Sequence, residues 1–230
     1  MSEKRVIVAI DGPAGAGKST IARRIAEKLG FIYINSGAIY RAIGLWALRL
    51  GIDLNDMHKL EQLAKEAKIE LAPNNARVTL NGEDVTEAIR DPRVSDAASK
   101  VSTVPGVRRA LLGLQRSMAE RNSVVMEGRD IGSVVFPNAQ VKIFLDADPH
   151  ERVRRRALEL ERKGQHGDIQ SVSGELKQRD ERDRRRSESP LVQAPDAELI
   201  DTTGLSLDEV EEAVLRVLRA KISNGKEAKA

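Results

Sequence analysis

The chain has no cysteine among its 230 residues, which excludes disulfide staples and thiolate metal sites and agrees with a reducing compartment. Aromatic residues make up only 3% of it, too few for the stacking platforms on which single-stranded nucleic acids are held. No apolar run approaches the roughly 20 residues of a membrane span, and the opening MSEKRVIVAID meets an aspartate too soon to be a signal peptide. A one-sided charge is missing as well. With a formal net charge of +3 there is no overall field of the kind a general nucleic-acid binder carries, and small anionic substrates fit better. The histidines, His58, His150 and His166, stand apart in polar stretches without ligand spacing, so surface positions are expected for them. No internal repeat is visible. A cytoplasmic monomer with no membrane and no stable nucleic-acid partner is the expectation.

What is present is a 40% apolar composition, enough to bury one sizeable α/β core, and a stretch that organises the rest. GPAGAGKST, Gly12 to Thr20, matches GxxxxGK[ST] between an apolar run, Val6 to Ile10, and a helical pattern. Such a loop wraps backbone N–H groups around a polyphosphate, and its glycines let the main chain approach without side-chain clash. Gly12, Pro13, Ala14, Gly15, Ala16, Gly17, Lys18, Ser19 and Thr20 are therefore the candidate ATP-binding residues. Lys18 reaches the β- and γ-phosphates, Ser19 offers its hydroxyl to Mg²⁺, and the helix dipole faces the anion.

Along the chain, Ile21, Ile25 and Leu29 mark a helix stopped by Gly30, and Phe31 to Ile34 reads as a second strand. NSGAIYRAIGLWALRL reads as a helix from about Ser36, with Trp46 on its core side. From Ile52 to about Ala98 a polar helix precedes a β-rich piece with an Asn81-Gly82 turn, the signature of a small antiparallel insert. Pro105 opens another helix with Val107, Leu111, Leu114 and Met118 inward. SVVMEGRD from Ser123 and VKIFLD from Val141 are continuous apolar runs, as expected of parallel strands covered on both faces. Pro149 to Arg186 is dominated by charge, AELID supplies a fifth strand, Ser206 caps a closing helix, and SNGKEAKA from Ser223 is a tail with nothing to bury.

Phosphoryl transfer asks for positioning and positive charge more than for covalent chemistry. Three groups could supply it. Arg41 of SGAIYR stands near the open edge of the sheet, although a solvated helix arginine explains it too. Arg129 and Asp130 of EGRD follow a strand by only a glycine and project from its carboxyl end. Arg179, Asp183 and Arg186 of RDERDRRR share a helix face with Arg182 offset nearby, a pattern that a solvated face or an RNA-contacting arm would also show. Asp146 fits either a water-mediated Mg²⁺ ligand or a cap of the next helix. Lys18, Arg129, Arg182 and Arg186 are the candidate catalytic cations.

Taken together, GPAGAGKST, SGAIYRA, NGEDVTEAIR, SDAASKVSTVPGVRRALLGLQR, EGRDIGSVVFPNAQVKIFLDA and RDERDRRRSESPLV, in this order, resemble the bacterial cytidylate kinases over nearly the whole chain. The resemblance implies transfer of the γ-phosphoryl of ATP to CMP or dCMP with Mg²⁺, in pyrimidine nucleotide metabolism. It implies a three-layer α/β P-loop fold with a five-stranded parallel sheet, a small β-containing insert and an arginine-rich helical lid. One domain would then divide into a core (about 1–35, 100–148 and 190–222), a monophosphate-binding region with the insert (about 36–99), a lid (about 149–189) and a flexible tail (about 223–230).

Position by position, the family pattern puts Ser36, Arg41 and Arg129 near the acceptor's phosphate and Ser99, Arg108 and Asp130 around the cytosine. Arg179 and Asp183 fall where the family holds the ribose, and Arg186 where it meets phosphate. A carboxylate suits cytosine because it accepts from the exocyclic amine and faces a carbonyl oxygen in uracil, a difference worth about 1–3 kcal/mol. Asn35 stands where the family often has aspartate, and Ser19 where some members have glycine. Arg152, Arg154, Arg155 and Arg156 are alternative lid contacts for ATP. The rival readings are a P-loop kinase for UMP, dTMP or shikimate and, from another class, an ATP-dependent RNA-binding module.

Overall fold

In the computed structural model, which describes residues 5–162, 164 and 168–227 (for residues 75 and 223–227 the backbone only), the strand before the P-loop forms the middle of a parallel sheet. This strand, β1 (Ile7–Asp11), is buried from Val8 onward. The following helix, α1 (Lys18–Leu29), turns Ile21, Ala22, Ile25 and Ala26 inward at helical spacing. It ends at Gly30, where a φ of 66° lets the N–H reach back to the Ala26 and Glu27 carbonyls. Fully burying a side chain such as Ile25 contributes about 1.5–3 kcal/mol, and Ile25→Ala would cost about 2–5 kcal/mol with the cavity included.

Strand β2 (Ile32–Asn35) runs directly into α2 (Ser36–Arg49). The insert then comprises α3 (Met57–Glu66), capped by the Asp56 carboxylate accepting from the Lys59 N–H, and three short antiparallel strands, β3 (Ile69–Leu71), β4 (Val78–Leu80) and β5 (Glu83–Asp84). Asn81 and Gly82 adopt φ of 52° and 85°, the paired positive values that a tight two-residue hairpin turn requires. An additional helix, α4 (Pro92–Val101), falls where the sequence reading assigns none. Its start is marked by Asp91, whose carboxylate accepts from the Arg93 N–H, and by a proline in the first turn. It packs so tightly on α2 that a Cβ on Gly44 would lie 2.8 Å from the Ala98 nitrogen.

Helix α5 (Pro105–Ser117) leads to β6 (Val124–Glu127), which ends in a loop closed by one π-helical turn, Ile131–Val135. Strand β7 (Val141–Asp146), the paired helices α6 (Pro149–Arg162) and α7 (Ile169–Arg185), strand β8 (Glu198–Asp201) and α8 (Leu207–Glu227) complete the chain. The sheet order is β2-β6-β1-β7-β8, all parallel. The chain therefore leaves β1 toward one edge early and toward the other late, which makes the carboxyl end of β1 the switch point where ligands of such sheets collect. The fold is the expected α/β P-loop architecture.

Helices α1 and α8 bury one face of the sheet, through Ile21, Ile25, Val210 and Val214 against Val8, Ile10 and Ile143. Separate apolar clusters hold α2–α5 with the insert, and the α6–α7 pair, where among the described residues Leu160, Val172 and Leu176 form the buried cluster. Trp46 is half-buried against the first of these, and Met118 lies just past the end of α5, also half-buried. Helix α8 continues beyond Ile222 to Glu227, into the stretch read from sequence as a tail. Once a helix is nucleated, each added residue gains a hydrogen bond at little further cost, so propagation needs no buried face; residues 228–230 lie outside the described residues. His58 and His150 are exposed, and His166 lies outside the described residues.

Candidate active site

The P-loop takes its shape from close backbone approaches. Gly12 has a φ of 146°, and a Cβ there would fall 1.9 Å from the Leu145 carbonyl oxygen of β7, so the neighbouring strand itself demands glycine. Gly17, at φ 86°, turns the chain into α1. Lys18 is buried, and its Nζ donates to the Pro13 carbonyl at 2.6 Å, closing the loop on itself. Burial, together with the nearby Arg129 guanidinium, pushes the Lys18 ammonium down to about 7.

Two cavities meet at this loop and share Gly15, Lys18, Ser19, Arg156 and Glu159. The outer one, about 550 Å³, runs along Gly15–Thr20 beneath Arg154, Arg155 and Arg156 of α6 and reaches the start of α8. The inner one, about 220 Å³, lies between the P-loop, α2, α4, α5, the loop after β6, and α7. Its lining has seven cationic side chains, among them Arg41, Arg129, Arg179 and Arg186, against four carboxylates, Glu127, Asp130, Glu159 and Asp183. Such a concave, positively weighted wall favours a multiply charged anion.

The inner cavity brings together residues far apart in sequence. Ser36 Oγ donates to the Glu127 carbonyl at 2.8 Å, which locks the first turn of α2 onto the end of β6. One turn further, Arg41 is largely buried and has no partner for Nε, and burial pulls its pKa down despite the attraction of Glu127. Ser99 of α4 and Arg179 of α7 also carry unpartnered buried polar atoms, Oγ and Nε. Tyr40 lies beneath the Arg108 guanidinium, 5.3 Å from ring centroid to Cζ, a cation–π contact. Arg108 in turn donates to Asp130 and, at 3.2 Å, to the Ser102 carbonyl.

Asp130 also meets Arg186 Nη2 at 3.5 Å, and Arg186 Nε donates to the Ser189 carbonyl at 2.5 Å. Arg129 Nε donates to Asp183 Oδ2 at 2.9 Å. Although burial alone would raise the Asp183 pKa, Arg129, Arg179 and Arg186 hold it below the usual carboxylate range. Burial and the Arg129 charge bring Arg179 down to about 10. All the expected acceptor-side residues, Ser36, Arg41, Ser99, Arg108, Arg129, Asp130, Arg179, Asp183 and Arg186, line this one cavity.

Arg182 does not. Successive helix residues point about 100° apart, so Arg182 faces α4, where Nη2 donates to Asp96 at 2.9 Å, while Asp183 faces the cavity. Asp146 is in neither cavity: its carboxylate accepts from the Ala147 N–H, and it is Asp148 that caps α6, accepting from the His150 N–H at 2.8 Å. The four α6 arginines that the sequence offers as ATP contacts separate by partner. Arg152 is buried and donates to Ala147 O, Ala14 O and, at 2.5 Å, Asp180. Arg154 pairs with Glu151, and Arg155 with Glu151 and Thr202. Arg156 lines both cavities.

Sequence reasoning missed two buried acids. Glu127 lines the inner cavity and accepts from the Tyr33 hydroxyl at 2.6 Å. Asp11 ends β1, and its two oxygens accept from the Ile131 and Gly132 N–H groups. The only available signal was an acid at the last position of an apolar strand, where the sheet opens.

The chain is similar to known proteins over nearly its whole length. A family model described as Cytidylate kinase matches residues 8–220. The cytidylate kinase of Solibacter usitatus is 59% identical over 98% of this chain and 97% of its own, and that of Pelotomaculum thermopropionicum 50% identical over 95% and 96%. Among solved structures, a gluconokinase from Sinorhizobium meliloti superposes with a TM-score of 0.50 at 18% identity, covering 97% of both chains, a likeness of fold alone.

Proposed function

The chain belongs to the cytidylate kinase family, and from that premise we propose that it transfers the γ-phosphoryl group of ATP to CMP and dCMP, with the roles of individual residues as follows. The P-loop, Gly12 to Thr20, cradles the phosphates of ATP, and Lys18 exchanges the Pro13 carbonyl for a phosphate oxygen, regaining its full charge there. CMP lies in the inner cavity with its phosphate toward Arg41, Arg129 and Arg186, its ribose near Arg179 and Asp183, and its base near Ser99, Arg108 and Asp130. The observation that carries this reading is the set of buried, unpartnered donors at Arg41, Ser99, Arg108 and Arg179 around one cavity. Each unsatisfied buried polar group costs about 1–3 kcal/mol, a cost that phosphate and sugar oxygens would offset.

An ionised phosphate oxygen of CMP is already a nucleophile, so no general base is required and attack is in line. Lys18, Arg129, Arg186 and the lid residue Arg156 neutralise the charge spread over the migrating group. Among the described residues no cluster of three or more histidines, cysteines and acids could hold a metal on its own. A metal would therefore arrive with the phosphates of ATP. This suits Mg²⁺, which keeps several waters and favours oxygen donors, with the Ser19 hydroxyl as the chain's own ligand; bound there it would neutralise β- and γ-phosphate charge.

The roles are distributed over three regions. We assign the sheet with α1, α5 and α8 as core, residues 36–99 as the monophosphate-binding region, and α6–α7 as lid. The thin apolar cluster of the α6–α7 pair suits an element that opens and closes, and closure excludes water that would otherwise hydrolyse ATP. The acceptor cavity is complete within one chain, which suits a monomer, and ATP and CMP as substrates suit the cytoplasm. No helix among the described residues is long and apolar enough to cross a membrane.

Initial rates of ADP release with CMP, dCMP, UMP and AMP under Mg²⁺ test the proposal. CMP and dCMP should be turned over, and UMP should have kcat/KM lower by about tenfold or more, the typical weight of one well-placed base contact. Equal rates with all four, or ADP release indifferent to any acceptor, would overturn it.

A further inference from the structure

We propose that Asp11 is a positioning residue for the acceptor: it aims Arg129 and Asp130 by holding the first turn of the loop that follows them. The inference rests on the reading of Arg129 and Asp130 as acceptor-side groups.

The geometry starts from the sheet. Strands β1 and β6 are adjacent and parallel, with Ile10 opposite Glu127, so the last residue of β1 lies beside the loop that leaves β6. That loop closes in a π-helical turn, Ile131–Val135, whose first N–H groups have no carbonyl within the turn to bond. Asp11 supplies both acceptors: Oδ1 accepts from Ile131 N–H at 2.8 Å and Oδ2 from Gly132 N–H at 2.7 Å. Asp11 as a whole is 5% exposed. Lys142, the nearest cation from β7, gives its ammonium to the Pro137 carbonyl and Asp196. Asp11 therefore spends its charge on two main-chain N–H groups, with Lys18 and Asp130 as the other charged groups that act on it.

Arg129 and Asp130 immediately precede the clamped turn, and each reaches a different helix: Arg129 holds Asp183 of α7, and Asp130 holds Arg108 of α5. A small rotation of the turn would swing both. On its other side Asp11 is bonded directly to Gly12, so a single residue joins the donor's loop covalently to the acceptor's loop by hydrogen bonds. Gly132 sits against the same contact: a Cβ there would press on the Lys142 side chain at 3.2 Å and touch Asp11 Oδ2 at 3.4 Å, so an added methyl crowds the clamped turn chiefly from the Lys142 side.

Asparagine at position 11 has the same shape but one acceptor, and its amide would point an N–H at an N–H. Asp11→Asn should raise KM for CMP by about 10-fold or more, the weight of a hydrogen bond to a charged group, while KM for ATP changes by less than about threefold. Gly132→Ala should raise KM for CMP several-fold in the same direction, and it carries the test should Asp11→Asn not fold. A lowered Tm with both KM values unchanged would make Asp11 merely structural and overturn the inference. So would equal increases in the two KM values. Asp130→Asn is measured alongside: if it raises KM for CMP and the Asp11 and Gly132 variants do not, the inference fails alone. If Asp130→Asn also leaves KM for CMP unchanged, the acceptor-side reading falls, and this inference with it.

Discussion

On the proposed reading, the donor and acceptor sides of the cleft are built by different means. The donor side is nine consecutive residues, Gly12 to Thr20, whose chemistry is mostly main chain: close packing at Gly12 and a helix N-terminus. The acceptor side takes side chains from α2, α4, α5, the loop after β6 and α7, and almost every polar contact there joins residues distant in sequence. A loop that recognises phosphate through its backbone depends first on its conformation. A pocket that recognises through gathered side chains depends on each charge and on whatever holds it in place.

The sharpest challenge to this contrast is the joint between the two sides. Arg152 touches the P-loop at the Ala14 carbonyl and α7 at Asp180, with both charged side chains over nine-tenths buried. Arg152→Ala would leave Asp180 buried and unpaired, and should lower stability by about 3–5 kcal/mol, read from urea unfolding. It should raise KM for both substrates. An effect confined to one substrate would show that the sides are not coupled through this pair.

Next in size, Arg186→Ala should lower kcat by about 10²–10³, with the affinity for ATP alone, measured by calorimetry without CMP, unchanged. A matching loss of ATP affinity would break the division into donor and acceptor sides.

Smaller is the pH effect of the residue between them. Burial, opposed by the two backbone hydrogen bonds, pushes Asp11 up to about 6, so between pH 3.8 and 6 the folded chain holds a proton that the unfolded chain has released. Stability from this group is thus full below the ordinary carboxylate value and is lost as pH rises through about 6. Unfolding free energies of the native chain and of Asp11→Asn should differ between pH 5 and pH 7.5 by about 1.4 kcal/mol, the native chain gaining at the lower pH. A pH-independent difference would place Asp11 in a more polar setting.

The smallest effect is expected at Arg182, whose exposed pairing with Asp96 resembles surface ion pairs that contribute little. Arg182→Ala should lower kcat by less than about fivefold. A loss comparable to that of Arg186→Ala would return Arg182 to the catalytic group.

How much of this was legible in the sequence follows the same division. GPAGAGKST could be read at once because its function is local, and the strands around it because they are unbroken apolar runs. On the acceptor side, spacing alone gave the edge of the sheet and one helix face, and the family resemblance supplied the residue roles. A one-residue step along α7 separates Asp183 in the cavity from Arg182 outside it, and a run of charges does not say which face is buried. In α6 the same ambiguity hid Arg152, which is structural, among Arg154, Arg155 and Arg156. Asp11 shows in the sequence only as an acid ending an apolar strand, because its partners are backbone N–H groups some 120 positions away, and backbone leaves no mark in composition. Helix α4 went unassigned even though Asp91-Pro92 marks its start, because the insert's turn signals ran up to it.

On the proposed roles, ATP and CMP meet end to end across Lys18, Arg129 and Arg186. Titration calorimetry with a dinucleotide in which adenosine and cytidine are joined through five phosphates tests it directly. One equivalent should bind, more tightly than ATP or CMP alone, displace both, and lose most of that gain in Arg186→Ala. Binding no tighter than that of ATP, with room left for a separate equivalent of CMP, would contradict it.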